Sequence, residues 1–117
     1  QPHWNAIGGA KRADILEAMA NAMEQETDRL IAILAREGGK TLDDCIAEVR
    51  EAVDFCRYYA VEAETKFKGL EALPGPAGET NGIEMMGRGV FVCISPWNFP
   101  LAIFTGKARR ADARYRT

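Results

Sequence analysis

The sequence predicts an α/β fold class, laid out as three helices followed by two short strands and the start of a βα unit. Three observations predict it. Residues 9–67 carry apolar side chains at helical spacing. Residues 83–94 hold two short runs, the second being Val90-Phe91-Val92-Cys93-Ile94, continuous and rich in β-branched and aromatic side chains. Ile94-Ser95-Pro96-Trp97-Asn98-Phe99-Pro100-Leu101 then turns a proline-flanked corner into a further apolar run, Leu101-Ala102-Ile103-Phe104. Strand, corner and helix start together open a βα unit, and open α/β sheets bind ligands at such corners.

The first helix is expected over residues 9–24, from Ile15, Leu16, Met19, Ala22 and Met23. The second runs from Asp28 to Glu37 on Leu30, Ile31, Ile33 and Leu34, and stops at Gly38-Gly39, a C-terminal signal. Thr41 then stands where an N-cap belongs, with Asp43 and Asp44 favourable in the first turn. The third helix, 42–67, places Leu42, Ile46, Val49, Val53, Cys56 and Ala60 on a core-facing stripe. Glu51, Phe55, Tyr58 and Glu62 share the opposite stripe. Two aromatics framed by acids suggest that this face touches something, and packing against another part of a larger protein accounts for them. Gly69, Pro74, Gly75, Pro76, Gly78, Asn81 and Gly82 predict a loop or extended connector. Two strands follow, Ile83–Arg88 and Val90–Ile94.

With 117 residues the chain has the length of one small domain. Hydrophobic residues at 47% and charged residues at 27% are those of an ordinary globular protein, and a net charge of −2 gives no basis for binding nucleic acid. No run approaches the length of a transmembrane segment. The start, Gln1-Pro2-His3-Trp4-Asn5, has neither the basic nor the apolar stretch of a signal peptide, and without an initiator Met it is expected to begin inside something longer. Cys45 and Cys56 share one helix face, but eleven residues at about 1.5 Å each hold them about 16 Å apart, beyond disulfide reach. Three unpaired cysteines suit a reducing compartment, and a cytoplasmic location is expected. His3 is the one histidine, which argues against a Ser-His-Asp triad or a histidine metal site, and no metal is expected.

At the corner, Pro96 and Pro100 fix their own φ and push Ser95 and Phe99 toward extended backbone. Asn98 is thereby held on a stiff scaffold. An asparagine in such a place commonly satisfies its own turn. Its amide is also a neutral donor that does not titrate, suited to a carbonyl oxygen that becomes an oxyanion. On physical grounds both roles stay open, as they do for Trp97 and Phe99 between core packing and site wall.

Gly87 to Leu101 resembles a signature region of the NAD(P)-dependent aldehyde dehydrogenase superfamily. Arg36 to Ala60 is similar to that family's Glu-x-Gly-Lys segment and long helix. Leu73 to Asn81 and Phe91 to Gly106 look most like one branch, the L-glutamate γ-semialdehyde (Δ1-pyrroline-5-carboxylate) dehydrogenase module of bacterial bifunctional proline utilization A. The resemblance covers about residues 4–106. It implies an N-terminal fragment of an aldehyde dehydrogenase fold, residues 1–106 being part of the cofactor-binding domain. It also implies oxidation of L-glutamate γ-semialdehyde to glutamate with NAD in proline catabolism, in a parent enzyme that is a homo-oligomer. Asn98 matches the oxyanion-hole asparagine. Ile94, Ser95, Pro96 and Trp97 match the strand end and corner along the cofactor. Phe99 matches a substrate-tunnel aromatic, and Glu51 and Phe55 match residues near the semialdehyde site.

The family's nucleophilic cysteine, general-base glutamate and most of its dinucleotide site belong to other motifs. Cys93, Cys45 and Cys56 do not match that nucleophile. The chain alone is therefore expected to lack dehydrogenase activity. It is also expected to be molten or aggregating in isolation, with the three helices most persistent. Residues 107–117 carry four arginines where the family continues with an apolar helix. They are expected to be a non-family tail, the product of a shifted reading frame or a misread end. Two other readings are a non-catalytic helical interaction module using Glu51, Phe55, Tyr58 and Glu62, and an aldehyde dehydrogenase of another substrate.

Overall fold

A computed structural model describes residues 2–87 and 89–112. In chain order it has α1 (Pro2–Ala6), α2 (Gly8–Gln25), α3 (Thr27–Gly38), α4 (Leu42–Lys66), β1 (Glu71–Leu73), β2 (Asn81–Ile83) and α5 (Ala102–Asp112). The three expected helices are α2, α3 and α4, each within one or two residues of its sequence bounds. Their ends have local causes. Gly39 ends α3 in the left-handed region at φ 62°, a conformation that glycine adopts without a Cβ penalty. Thr41 is extended, and its hydroxyl accepts the backbone N–H of Asp44 at 3.2 Å, so α4 begins on a true N-cap.

The core lies where α4 packs on α2, with α3 and α5 closing its sides. Ala20 and Met23 of α2 meet Ala52, Val53 and Cys56 of α4 and Ala102 of α5. Ala13 and Leu16 meet Ala60. Leu34 of α3 meets Cys45 and Val49. Small side chains at these positions let the α2 and α4 backbones come close. Gly9 of α2 donates its N–H to the carbonyl of Phe67, the residue that ends α4, at 3.3 Å.

Several details differ from expectation. The core stripe of α4 is rotated: Leu42 is 62% exposed and Ile46 41%, while Cys45, Glu48, Ala52 and Ala63 are buried. Packing of α5 against the Glu48 and Ala52 side turns the buried face away from Ile46. On α2, Ile15 is likewise exposed and Ala13 and Ala20 take the core.

The connector 69–82 is not a plain loop. Its ends pair as an antiparallel hairpin, Glu71 with Ile83, Ala72 with Gly82 and Leu73 with Asn81. Glu79 N–H closes a turn onto the Pro76 carbonyl at 3.2 Å, and Gly78 at φ 90° supplies the positive φ that such a turn needs.

The strands expected at Ile83–Arg88 and Val90–Ile94 do not form. Only Ile83 of the first belongs to a strand, and Arg88 lies outside the described residues. Val90 is 93% exposed and Cys93 half-buried. A strand of this kind takes its hydrogen bonds and its burial from neighbours on both sides, and among the described residues none lies beside it. α5 crosses the expected boundary after Gly106 and runs on through Asp112; residues 113–117 lie outside the described residues.

Candidate functional site

The corner is a tight turn. Phe99 N–H reaches the Pro96 carbonyl at 3.3 Å, which puts Trp97 and Asn98 at its two central positions. Both face solvent, Trp97 with 80% of its surface exposed. Ser95 and Pro96 are half-buried behind them. Ile94 is exposed, and its carbonyl accepts the Lys107 ammonium at 2.7 Å, tying the segment that enters the corner to α5.

The backbone of Asn98 is held from a distance. Its carbonyl accepts Lys40 Nζ at 3.2 Å, and the same ammonium lies 4.0 Å from the centre of the Phe99 ring. Lys40 also pairs with Oε2 of Glu48, whose side chain is fully buried. The other oxygen, Glu48 Oε1, accepts the backbone N–H groups of Leu101 at 2.9 Å and Ala102 at 3.2 Å. Those are orphan donors at the start of α5, so a carboxylate from α4 caps α5 across the fold. The helical pattern by itself marks neither Glu48 nor Lys40 for a role. The usable signal was the Glu-x-Gly-Lys segment followed by a glutamate in the middle of an apolar helix.

Glu51 and Phe55 come together in a second feature, on the outward face of α4. Glu51 is exposed and Phe55 half-buried. They line an open cleft of about 590 Å³ with Arg50, Asp54 and Tyr58. Phe55 stacks on Tyr59 with ring centres 6.4 Å apart, and Tyr59 meets Tyr58 edge to face at 5.1 Å. Phe55 also packs on Gly106 of α5, where an added Cβ would come within 3.0 Å of its ring. The cleft and the corner thus share the α4–α5 contact.

One electrostatic pair lies apart from both. Arg57 of α4 donates to Glu24 of α2 through two nitrogens, at 2.9 and 2.6 Å. These hydrogen bonds hold the Glu24 carboxyl below its ordinary range and raise the Arg57 guanidinium. Among the described residues no three His, Cys, Asp or Glu side chains gather as a metal site requires, and no helix is long and apolar enough to cross a membrane.

Comparison with known proteins places this arrangement. The chain is 49% identical over 112 residues to the bifunctional protein PutA of Escherichia coli K12, covering 96% of this chain and 8% of that protein. It is 38% identical over 103 residues to the 1-pyrroline-5-carboxylate dehydrogenase of Anoxybacillus flavithermus, covering 88% of this chain and 20% of that one. A solved structure of proline utilization A with proline bound in remote sites matches with a TM-score of 0.91 and 52% identity, over 96% of this chain and 12% of the other. The chain therefore spans a small part of each relative's length. The model of the aldehyde dehydrogenase family matches residues 1–113, which takes in the helices, the hairpin and the corner alike. The chain belongs to the aldehyde dehydrogenase family.

Proposed function

We propose that this chain is part of an NAD-dependent enzyme that oxidises L-glutamate γ-semialdehyde to glutamate in proline catabolism, with residues 1–106 in its cofactor-binding domain. The observation that carries the reading is the corner at 96–99. Its backbone is tied by Lys40 while the Asn98 side chain faces outward. Relatives named bifunctional protein PutA and 1-pyrroline-5-carboxylate dehydrogenase support the substrate.

Asn98 donates its amide N–H to the aldehyde oxygen as that oxygen gains negative charge. The amide carries no titrating proton, so the donor persists at every working pH. Phe99 beside the corner, and Glu51 and Phe55 at the α4 cleft, bound the space for the aldehyde chain.

The residues here fit one wall of a dinucleotide site. Ile94 and Pro96 offer apolar surface, Ser95 a hydroxyl and Trp97 an exposed indole N–H. They suit the nicotinamide half of NAD and not its pyrophosphate. A phosphate would seek the amides at a helix N-terminus, and in α5 the Leu101 and Ala102 amides already serve Glu48. When bound, NAD supplies the hydride acceptor.

The test is Asn98→Ala in the intact gene product that carries residues 1–117, with L-glutamate γ-semialdehyde and NAD. Loss of one such donor lowers kcat by about 10²–10³. An undiminished kcat overturns the role of Asn98, and an intact product with no NADH formation from this aldehyde overturns the activity.

A further inference from the structure

We propose that Lys40 and Glu48 are positioning residues for Asn98. Together they make a buried clamp that carries the placement of α4 into the aim of the corner amide. The proposal rests on the reading of Asn98 as an oxyanion donor and adds residues that act through it.

The contacts fall on Asn98 and the residues that follow it, 99, 101 and 102. Its own carbonyl is held by Lys40 Nζ at 3.2 Å. The ring of the next residue, Phe99, lies under the same ammonium at 4.0 Å. The amides of Leu101 and Ala102, three and four residues on, are fixed by Glu48 Oε1 at 2.9 and 3.2 Å. Lys40 and Glu48 are themselves paired, with the Glu48 side chain fully buried and that of Lys40 only 10% exposed. Asn98 itself stays exposed, and the Lys40 contact engages its backbone carbonyl.

Neither member works alone. A buried carboxylate without its cation is strongly unfavourable, so the buried placement of Glu48 depends on Lys40. Lys40 in turn comes from the short link between α3 and α4 and gains its direction from Glu48. The two prolines stiffen the corner internally, but stiffness does not orient it against the rest of the molecule. The clamp supplies that orientation. A displacement of about 1 Å at a catalytic group is enough to lower a rate about 10²-fold.

The experiment compares Lys40→Met and Glu48→Gln with wild type in the intact gene product, each also on an Asn98→Ala background. Glu48→Gln keeps a neutral acceptor for the Leu101 and Ala102 amides, so it serves where Lys40→Met fails to fold. Both single variants should lower kcat by about 10- to 100-fold, short of the loss from removing the donor itself, while the aldehyde KM stays within about threefold. On the Asn98→Ala background the same changes should lower kcat by less than about twofold, because residues acting through one group are not additive. Equal losses on both backgrounds, or an unchanged kcat, overturn the proposal.

Hydrogen exchange of the 94–103 segment gives a readout apart from activity. It should quicken in both clamp variants while α2 exchanges as in wild type. Unchanged exchange at 94–103 overturns the clamp. Should Asn98→Ala keep its kcat while this exchange quickens, the donor reading fails and the clamp remains as a structural device.

Discussion

Gly9 offers a direct test of how α2 is seated on α4. A Cβ built on Gly9 would lie 3.1 Å from the Ala63 carbonyl carbon and 3.1 Å from Phe67 Cβ, and closer still to the Ala63 oxygen. The obstacle is backbone of a 25-residue helix and not a flexible side-chain end. Gly9→Ala must therefore push the start of α2 away and weaken the hydrogen bond from Gly9 N–H to the Phe67 carbonyl. Overpacking of this kind costs about 1–3 kcal/mol. The gain from restricting the unfolded chain offsets about 0.4–1 kcal/mol of it. The net expectation is a loss of about 1–2 kcal/mol, which at a urea m-value near 1.5 kcal/mol/M lowers the midpoint by about 1 M. Gly38→Ala is the control. Its Cβ would meet the Lys40 side chain at 3.4 Å, an ordinary van der Waals contact, and its φ is not positive. That variant should hold or raise the midpoint. Urea-dependent hydrogen exchange of α2 in the intact gene product reads both. The reasoning is refuted if Gly9→Ala is as stable as wild type, or if both alanines destabilise equally.

Thr41→Ala removes the hydroxyl that caps α4 and should lower stability by about 1 kcal/mol, read from the same midpoint; no change would deny the cap any energetic role. Glu24, its carboxyl lowered by Arg57, should make stability fall in acid. The sign follows from linkage: the contribution is complete above the ordinary glutamate value of about 4.3 and is lost as pH falls through the lower native one. Both side chains reach solvent, Arg57 41% and Glu24 50% exposed, so the effect should be small and should shrink in high salt. A Glu24→Gln variant with the same acid dependence as wild type would contradict it.

The helices were legible because their signals are local. Apolar side chains three and four apart, Gly38-Gly39 and Thr41 act within one or two turns, and α2, α3 and α4 lie where those signals put them. The corner was legible for the same reason, since two prolines constrain only their neighbours. The hairpin between 71 and 83 was not, because its turn is local but its pairing joins residues up to twelve positions apart. Val90–Ile94 had strand composition, but a strand is completed by its neighbours and not by its own side chains.

Glu48 marks the division most plainly. By itself the sequence determined that residue 48 is a glutamate on a long helix, that a proline-flanked turn follows, and that its motif is similar to that of the aldehyde dehydrogenases. Only the tertiary structure decided that this glutamate is buried, paired with Lys40 and holding amides 53 and 54 residues away. The physical reason is that a helix sequence fixes which residues share a face. Which face is covered, and by what, depends on elements that arrive from elsewhere in the chain.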